Sequence, residues 1–155
     1  MKQLVWGLLL FWVVGAAVNL AFAQTKLERY TTGCEAKQRD LCWLAADAYQ
    51  RKGDMQKAIT FYRKACALDE GTSCHQLGML YTSGKHLSPS LTTASEFFTK
   101  ACAQNIADSC YNLGVLFQHG YGVQANAQQA RDFFSKACDL QHEKACERAV
   151  QVTKK

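Results

Sequence analysis

The chain has 155 residues, 48% hydrophobic and 20% charged, with 18 basic and 13 acidic side chains. That length suits one domain. A net charge of +5 with no block of consecutive Lys or Arg is too mild for a nucleic-acid-binding stripe.

Residues 1–23 stand apart from any fold argument. Lys2 is the only charge, Leu4 to Val18 is almost wholly apolar, and Ala21-Phe22-Ala23 precedes Gln24. A basic start, an apolar middle and an A-x-A exit read as a bacterial Sec-type signal peptide cleaved after Ala23. An uncleaved anchor is the alternative, because Leu4 to Ala23 is almost long enough to span a bilayer; it would be the only membrane attachment. No Cys lies near the exit, which argues against a lipoprotein. The mature chain, residues 24–155, loses Lys2 and carries +4 rather than +5. It is expected as a single domain, secreted or periplasmic.

All eight Cys fall in the mature part, at 34, 42, 66, 74, 102, 110, 138 and 146. An even count in an exported chain reads as disulfides. The Cys form four pairs, and other columns recur with them: Ala58, Ala94 and Ala130; Tyr49, Tyr81 and Phe117; Leu77-Gly78 and Leu113-Gly114; Lys64, Lys100 and Lys136. A period in this range indicates a solenoid of helix pairs.

In chain order, 24–41 is a half-unit holding a lone second helix, 42–73, 74–109 and 110–145 are repeats, and 146–155 is a capping helix, about eight helices in all. Half-units of this kind cover the open ends of a solenoid. Within a repeat the first helix runs from the second Cys of a pair, as in Cys74 to Tyr81, with apolar residues at helical spacing. It stops near Gly84 or Gly120, where Gly tolerates a left-handed turn. The second helix carries a stripe such as Ala94, Phe97, Phe98, Ala101 and Cys102. Gly78 and Gly114 inside helices cost about 1 kcal/mol each relative to Ala, which points to close backbone approach between paired helices. Tyr49, Tyr81 and Phe117 share the inward stripe and are expected in the core. The three Lys at one helix-end column are expected to be solvated and to favour the helix dipole.

Two Cys eight apart on one helix would be separated by about 12 Å, beyond the roughly 7 Å that a disulfide allows. The chain must therefore reverse between them, and Asp69-Glu70-Gly71-Thr72-Ser73 supplies such a turn. A rival scheme, 42–66, 74–102 and 110–138, also joins helix ends but strands Cys34 and Cys146. The favoured scheme is Cys34–Cys42, Cys66–Cys74, Cys102–Cys110 and Cys138–Cys146, which leaves none free.

These columns resemble the Sel1-like repeat family, a relative of the tetratricopeptide repeats. The matching segments are Cys110-Tyr-Asn-Leu-Gly-Val-Leu-Phe-Gln-His-Gly-Tyr-Gly-Val and Ala130-Arg-Asp-Phe-Phe-Ser-Lys-Ala-Cys138. A Cys pair in every unit and an export signal resemble the Helicobacter cysteine-rich proteins in particular. The first unit departs from the pattern, since Gly53-Asp54 and Lys57-Ala58-Ile59 look like an ordinary tetratricopeptide turn. The resemblance implies an all-α, right-handed α/α superhelix that binds proteins or peptides. Members of the cysteine-rich group are described as penicillin-binding proteins with weak β-lactamase activity and as secreted antigens.

The residues themselves carry no hydrolase motif. S-x-x-K, S-D-N and K-T-G are all missing. His75, His86, His119 and His142 do not form an H-E-x-x-H, and no C-x2-4-C exists for structural zinc. No metal and no cofactor are expected, and a redox role lacks C-x-x-C or an odd thiol. By analogy with tetratricopeptide repeats, first helices line the concave wall. Their register puts Trp43, His75, Tyr111 and Glu147 in one row and Asp47, Met79, Val115 and Gln151 in the next. Aromatic anchors in such a row could grip a protein, a peptide or a peptidoglycan-like ligand; packing between units would account for Trp43 and Tyr111 equally well. The chain is expected to act as a monomer.

Overall fold

The computed structural model describes residues 25–152, so the expected signal peptide and its exit lie outside the described residues. Eight helices follow one another with no strand among the described residues: α1 (25–35), α2 (Arg39–Arg51), α3 (Met55–Ala67), α4 (Gly71–Ser83), α5 (Leu91–Ala103), α6 (Ala107–His119), α7 (Ala127–Asp139) and α8 (Glu143–Gln151). They pack in order as the hairpins α2/α3, α4/α5 and α6/α7, with α1 and α8 at the ends. The all-α solenoid expected from the repeat is thus observed.

Each hairpin forms because two stripes meet. The first helices bury Cys42, Ala45 and Ala46, then Cys74, Leu77 and Gly78, then Cys110, Leu113 and Gly114. The second helices answer with Ala58, Tyr62, Ala65 and Cys66, then Ala94, Phe98, Ala101 and Cys102, then Ala130, Phe134 and Ala137. Side-chain caps fix where the second helices start. Asp54, Ser90 and Asn126 each accept a backbone N–H three residues on, at 3.0–3.2 Å, a contact worth about 1 kcal/mol. First helices 2 and 3 of the repeats end on left-handed Gly84 and Gly120, as their sequence suggests.

The turn between hairpins is built four times from one motif. Lys37, Asp69, Asn105 and Gln141 have positive φ of 58–69°. The N–H of each bonds the carbonyl of the Cys three residues before it, and the next N–H bonds the carbonyl five residues back. This is the Schellman arrangement, which normally takes Gly at the left-handed position. The residue after each left-handed one also serves as N-cap of the following helix. Only three residues separate the two helices, so the second-last residue of one and the fourth of the next face each other at 4.4–4.8 Å between Cα atoms. Those residues are the Cys. The bridges are Cys34–Cys42, Cys66–Cys74, Cys102–Cys110 and Cys138–Cys146, and no described Cys is free.

Four local expectations need correction. First helices α4 and α6 begin three residues ahead of the second Cys, so Gly71, Thr72 and Ser73 are helical and Asp69 alone makes the reversal. Gly78 and Gly114 face aromatic rings rather than backbone: a Cβ on either would stand 2.5 Å from Phe98 or Phe134. Tyr49, Tyr81 and Phe117 are only half-buried. They pack at the edge of the core clusters and stack on Phe61, Phe97 and Phe133 at 5.4–5.6 Å. Lys64 pairs with Glu35 of α1 and lies over the Phe61 ring, so it is engaged rather than merely solvated.

The ring seats generate a prediction. Phe98 is 2% exposed and Phe134 fully buried, so neither can move aside. Ala gains up to about 1 kcal/mol in helix propensity, while overpacking a core costs about 1–3 kcal/mol. Gly78→Ala and Gly114→Ala should each lower stability by up to about 2 kcal/mol in urea unfolding at unchanged m-value. Phe98→Leu placed in the Gly78→Ala background should recover part of that loss.

Candidate functional site

The first helices make a wall whose members bond each other directly. His75 of α4 reaches Ser109 of α6, Nδ1 to Oγ at 2.8 Å, and the Asn112 amide donates to the Met79 sulfur at 3.8 Å. On the far side of α6, Tyr111 stacks on His142 with ring centres 4.4 Å apart, and His142 Nε2 lies 3.4 Å from Asp108. Arg148 of α8 donates to Gln118 of α6 at 3.0 Å. His142 has a second task, since its Nδ1 accepts the Ala145 N–H at 3.2 Å and caps α8.

The expected site residues divide along this wall. Trp43 and Asp47 line a groove of about 430 Å³ between α1 and α2, together with Tyr30, Arg51, Lys26 and Lys52. Asp47 is tied to Arg51 at 2.8 Å. Lys26 sits 6.0 Å over the Tyr30 ring. His75, Tyr111 and Glu147 do not line that groove. His75 and Tyr111 are half-buried, with their rings tilted against Phe98 and Phe134. Val115 is half-buried, Met79 is 44% exposed, and Glu147 and Gln151 on α8 are exposed. The two rows therefore lie along one wall, but the aromatic members of the upper row are not gathered into one pocket.

The closest approach to catalytic geometry is His75 with Ser109. A 2.8 Å contact between imidazole and hydroxyl meets the distance requirement for a base and its nucleophile. Ser109 is fully buried, however, so no substrate carbonyl can reach its Oγ. The pair is a helix-to-helix tie. One repeat earlier the register places Ser73 at the Ser109 position and Trp43 at the His75 position, and the buried Ser73 Oγ has no hydrogen-bond partner. Sequence reasoning did not single out Ser109, Asp108 or Tyr30. The shared Ser-Cys step at 73–74 and 109–110 was the available signal for Ser109; Tyr30 and Trp43 meet only through the fold.

Burial holds the His75 pKa below its usual 6.5, with Asp108 pulling weakly the other way. The neutral ring belongs to the folded state, so the unfolded chain binds the proton more readily. The stabilisation is fully present above about pH 6.5 and is lost as the pH falls from there towards the lowered folded value. Urea unfolding at pH 8, 6.5 and 5 should show a decline on the acid side that is shallower in His75→Gln. An identical pH profile in the variant would contradict the assignment.

With the geometry in view, the comparisons with known proteins are consistent. The Sel1 repeat model matches residues 71–106 and 107–142, and a tetratricopeptide repeat model matches 40–72. The first hairpin earns that distinction physically: Gly53 at φ 80° closes it with three residues between the helices, whereas the later hairpins carry longer loops. The Helicobacter pylori structure titled cysteine rich protein B superposes with a TM-score of 0.64 at 32% identity, covering 81% of this chain and 92% of that one. A Sel1 repeat protein from Oxalobacter formigenes shares the fold at TM-score 0.74 and 21% identity, over 81% and 97% of the two chains. A Helicobacter pylori protein named "Putative beta-lactamase HcpD" is 37% identical over 49 residues, which are 32% of this chain and only 16% of that protein. The chain belongs to the Sel1-like repeat family and is similar within it to the Helicobacter cysteine-rich proteins.

Proposed function

We propose that this protein is an exported, monomeric scaffold that holds a protein, peptide or cell-wall fragment against its first-helix wall. Trp43 is the principal anchor in this reading. The observation that carries it is the groove beside Trp43, where two aromatic rings form the sides and Lys26 and Lys52 add positive charge. An extended ligand leaving that groove would pass Met79, the largest exposed hydrophobic side chain of the wall's middle helices, then Val115, and reach Glu147 at the far end. Sel1-like and tetratricopeptide repeats generally mediate protein interactions. Four disulfides support export, since such bridges persist in oxidising compartments. The segment 1–23 has the charge and apolar pattern of a signal peptide.

The competing reading is a penicillin-binding protein or weak β-lactamase. It has the name of one partial relative behind it, and the burial of Ser109 speaks against the one Ser–His pair as a nucleophile and base.

Two measurements separate the readings. Purified, oxidised protein should fail to turn over nitrocefin above background. Sustained turnover abolished by one substitution would defeat the binding reading. In pull-downs from bacterial envelope extract, and in sedimentation with peptidoglycan fragments, Trp43→Ala should weaken capture by roughly 30-fold, as expected for a central aromatic anchor worth about 2 kcal/mol. Tyr111→Ala should have a smaller effect. Unchanged capture by the double variant would remove the wall as the binding surface.

A further inference from the structure

The four bridges are chemically identical but not equally protected. Cys34, Cys42, Cys66, Cys74, Cys102 and Cys110 are 0–4% exposed. Cys138 and Cys146 are both half-buried. The cause is the direction of stacking. The Cys66–Cys74 turn is covered by the one that follows: a Cβ on Gly71 would stand 2.8 Å from Gln104 and 2.9 Å from Ile106 of the next turn. The Cys102–Cys110 turn is covered in the same way, with His142 lying against Tyr111 and Asp108. Among the described residues no further hairpin follows α8, so the last bridge has no cover of this kind.

The helix behind that bridge also buries little of itself. Ala145 is the only buried residue of α8, and α8 is the shortest of α2–α8 at nine residues. Besides the bridge, it is held by Ala149 packing with Ala145 on the second core cluster, by the His142 cap, by the His142–Asp108 contact and by Arg148 to Gln118.

We propose that Cys138–Cys146 is a site of thiol–disulfide exchange with a dithiol reductant, and that its opening releases α8 from the wall. A thiolate of the dithiol attacks one Cys sulfur, forming a mixed disulfide and breaking the Cys138–Cys146 bond. The displaced Cys leaves as a thiolate and takes up a proton. The second thiol of the reductant then closes its own disulfide and frees the other Cys. The protein gains two electrons and two protons, and the dithiol is oxidised by the same amount. With α8 released, the Tyr111 and Gln118 faces of α6 and the Glu147–Gln151 end of the wall are no longer held together. This regulates the extent of the wall whatever ligand it takes.

The test is reduction of the oxidised mature protein with graded dithiothreitol, quenching with an alkylating agent, and peptide mapping of the labelled Cys. Labelling at Cys138 and Cys146 should run at least about tenfold ahead of the other six, since exchange depends on access to the sulfurs. Hydrogen exchange on the partly reduced species should rise in α8 and stay unchanged in α2–α5. A different pair labelled first, or all four opening together, would overturn the proposal. So would selective opening that leaves α8 exchange as it was in the oxidised protein. These readings need no variant to fold and no ligand, so they stand or fall apart from the binding reading.

Discussion

The fold depends on a four-residue reversal that recurs between hairpins. A left-handed residue three positions after a Cys lets one helix end and the next begin only three residues later, and two Schellman hydrogen bonds fix the angle. Two of the four residues at that position, Asp69 and Asn105, belong to the types that tolerate positive φ; Lys37 and Gln141 do not. Such a backbone costs about 1–2 kcal/mol per residue for non-Gly side chains. A bridge closing so short a ring contributes about 2.5 kcal/mol in the chain-entropy model, enough to offset that strain. The disulfide and the strained turn are therefore one device.

That device explains how little core the chain needs. The buried side chains fall into two clusters, one around Ala45, Tyr62 and Leu77 and one around Phe98, Leu113 and Phe134. Many of their members are Ala or Cys, which bring helices close but bury little area each. Aromatic rings seated on Gly78 and Gly114 supply most of the bulk in the later hairpins. The first hairpin has Ala46 and Tyr62 in those columns instead. Its Tyr hydroxyl is satisfied by Gln50 at 2.7 Å, and burial pushes its pKa up to about 12.

Much of this architecture was legible in the sequence because its signals are periodic and local. The Cys spacing, the repeated Ala and Phe columns and the Gly at helix ends all record contacts that recur once per unit. What was not legible is of two kinds. The stretch Asp69–Ser73 reads as the turn, whereas only Asp69 takes the left-handed backbone and Gly71 already opens the next helix, because Gly serves close packing as readily as positive φ. The candidate site depended on contacts between different units, which periodicity does not encode. The register put Trp43, His75 and Tyr111 in one row, yet Trp43 meets Tyr30 in a groove, His75 meets Ser109, and Tyr111 meets His142. The unequal exposure of the four bridges is of the same kind, since it follows from which unit lies next and not from the local C-x7-C spacing.

The central claim is that the inter-hairpin bridges hold neighbouring units in register. It is tested most directly by urea unfolding of the Cys66→Ala/Cys74→Ala variant, followed by both far-UV circular dichroism and tryptophan fluorescence. The account predicts a loss of about 2.5 kcal/mol and separation of the two probes, because Trp43, the only Trp among the described residues, reports on the first cluster alone. A variant that unfolds in one coincident transition at the wild-type midpoint would contradict it.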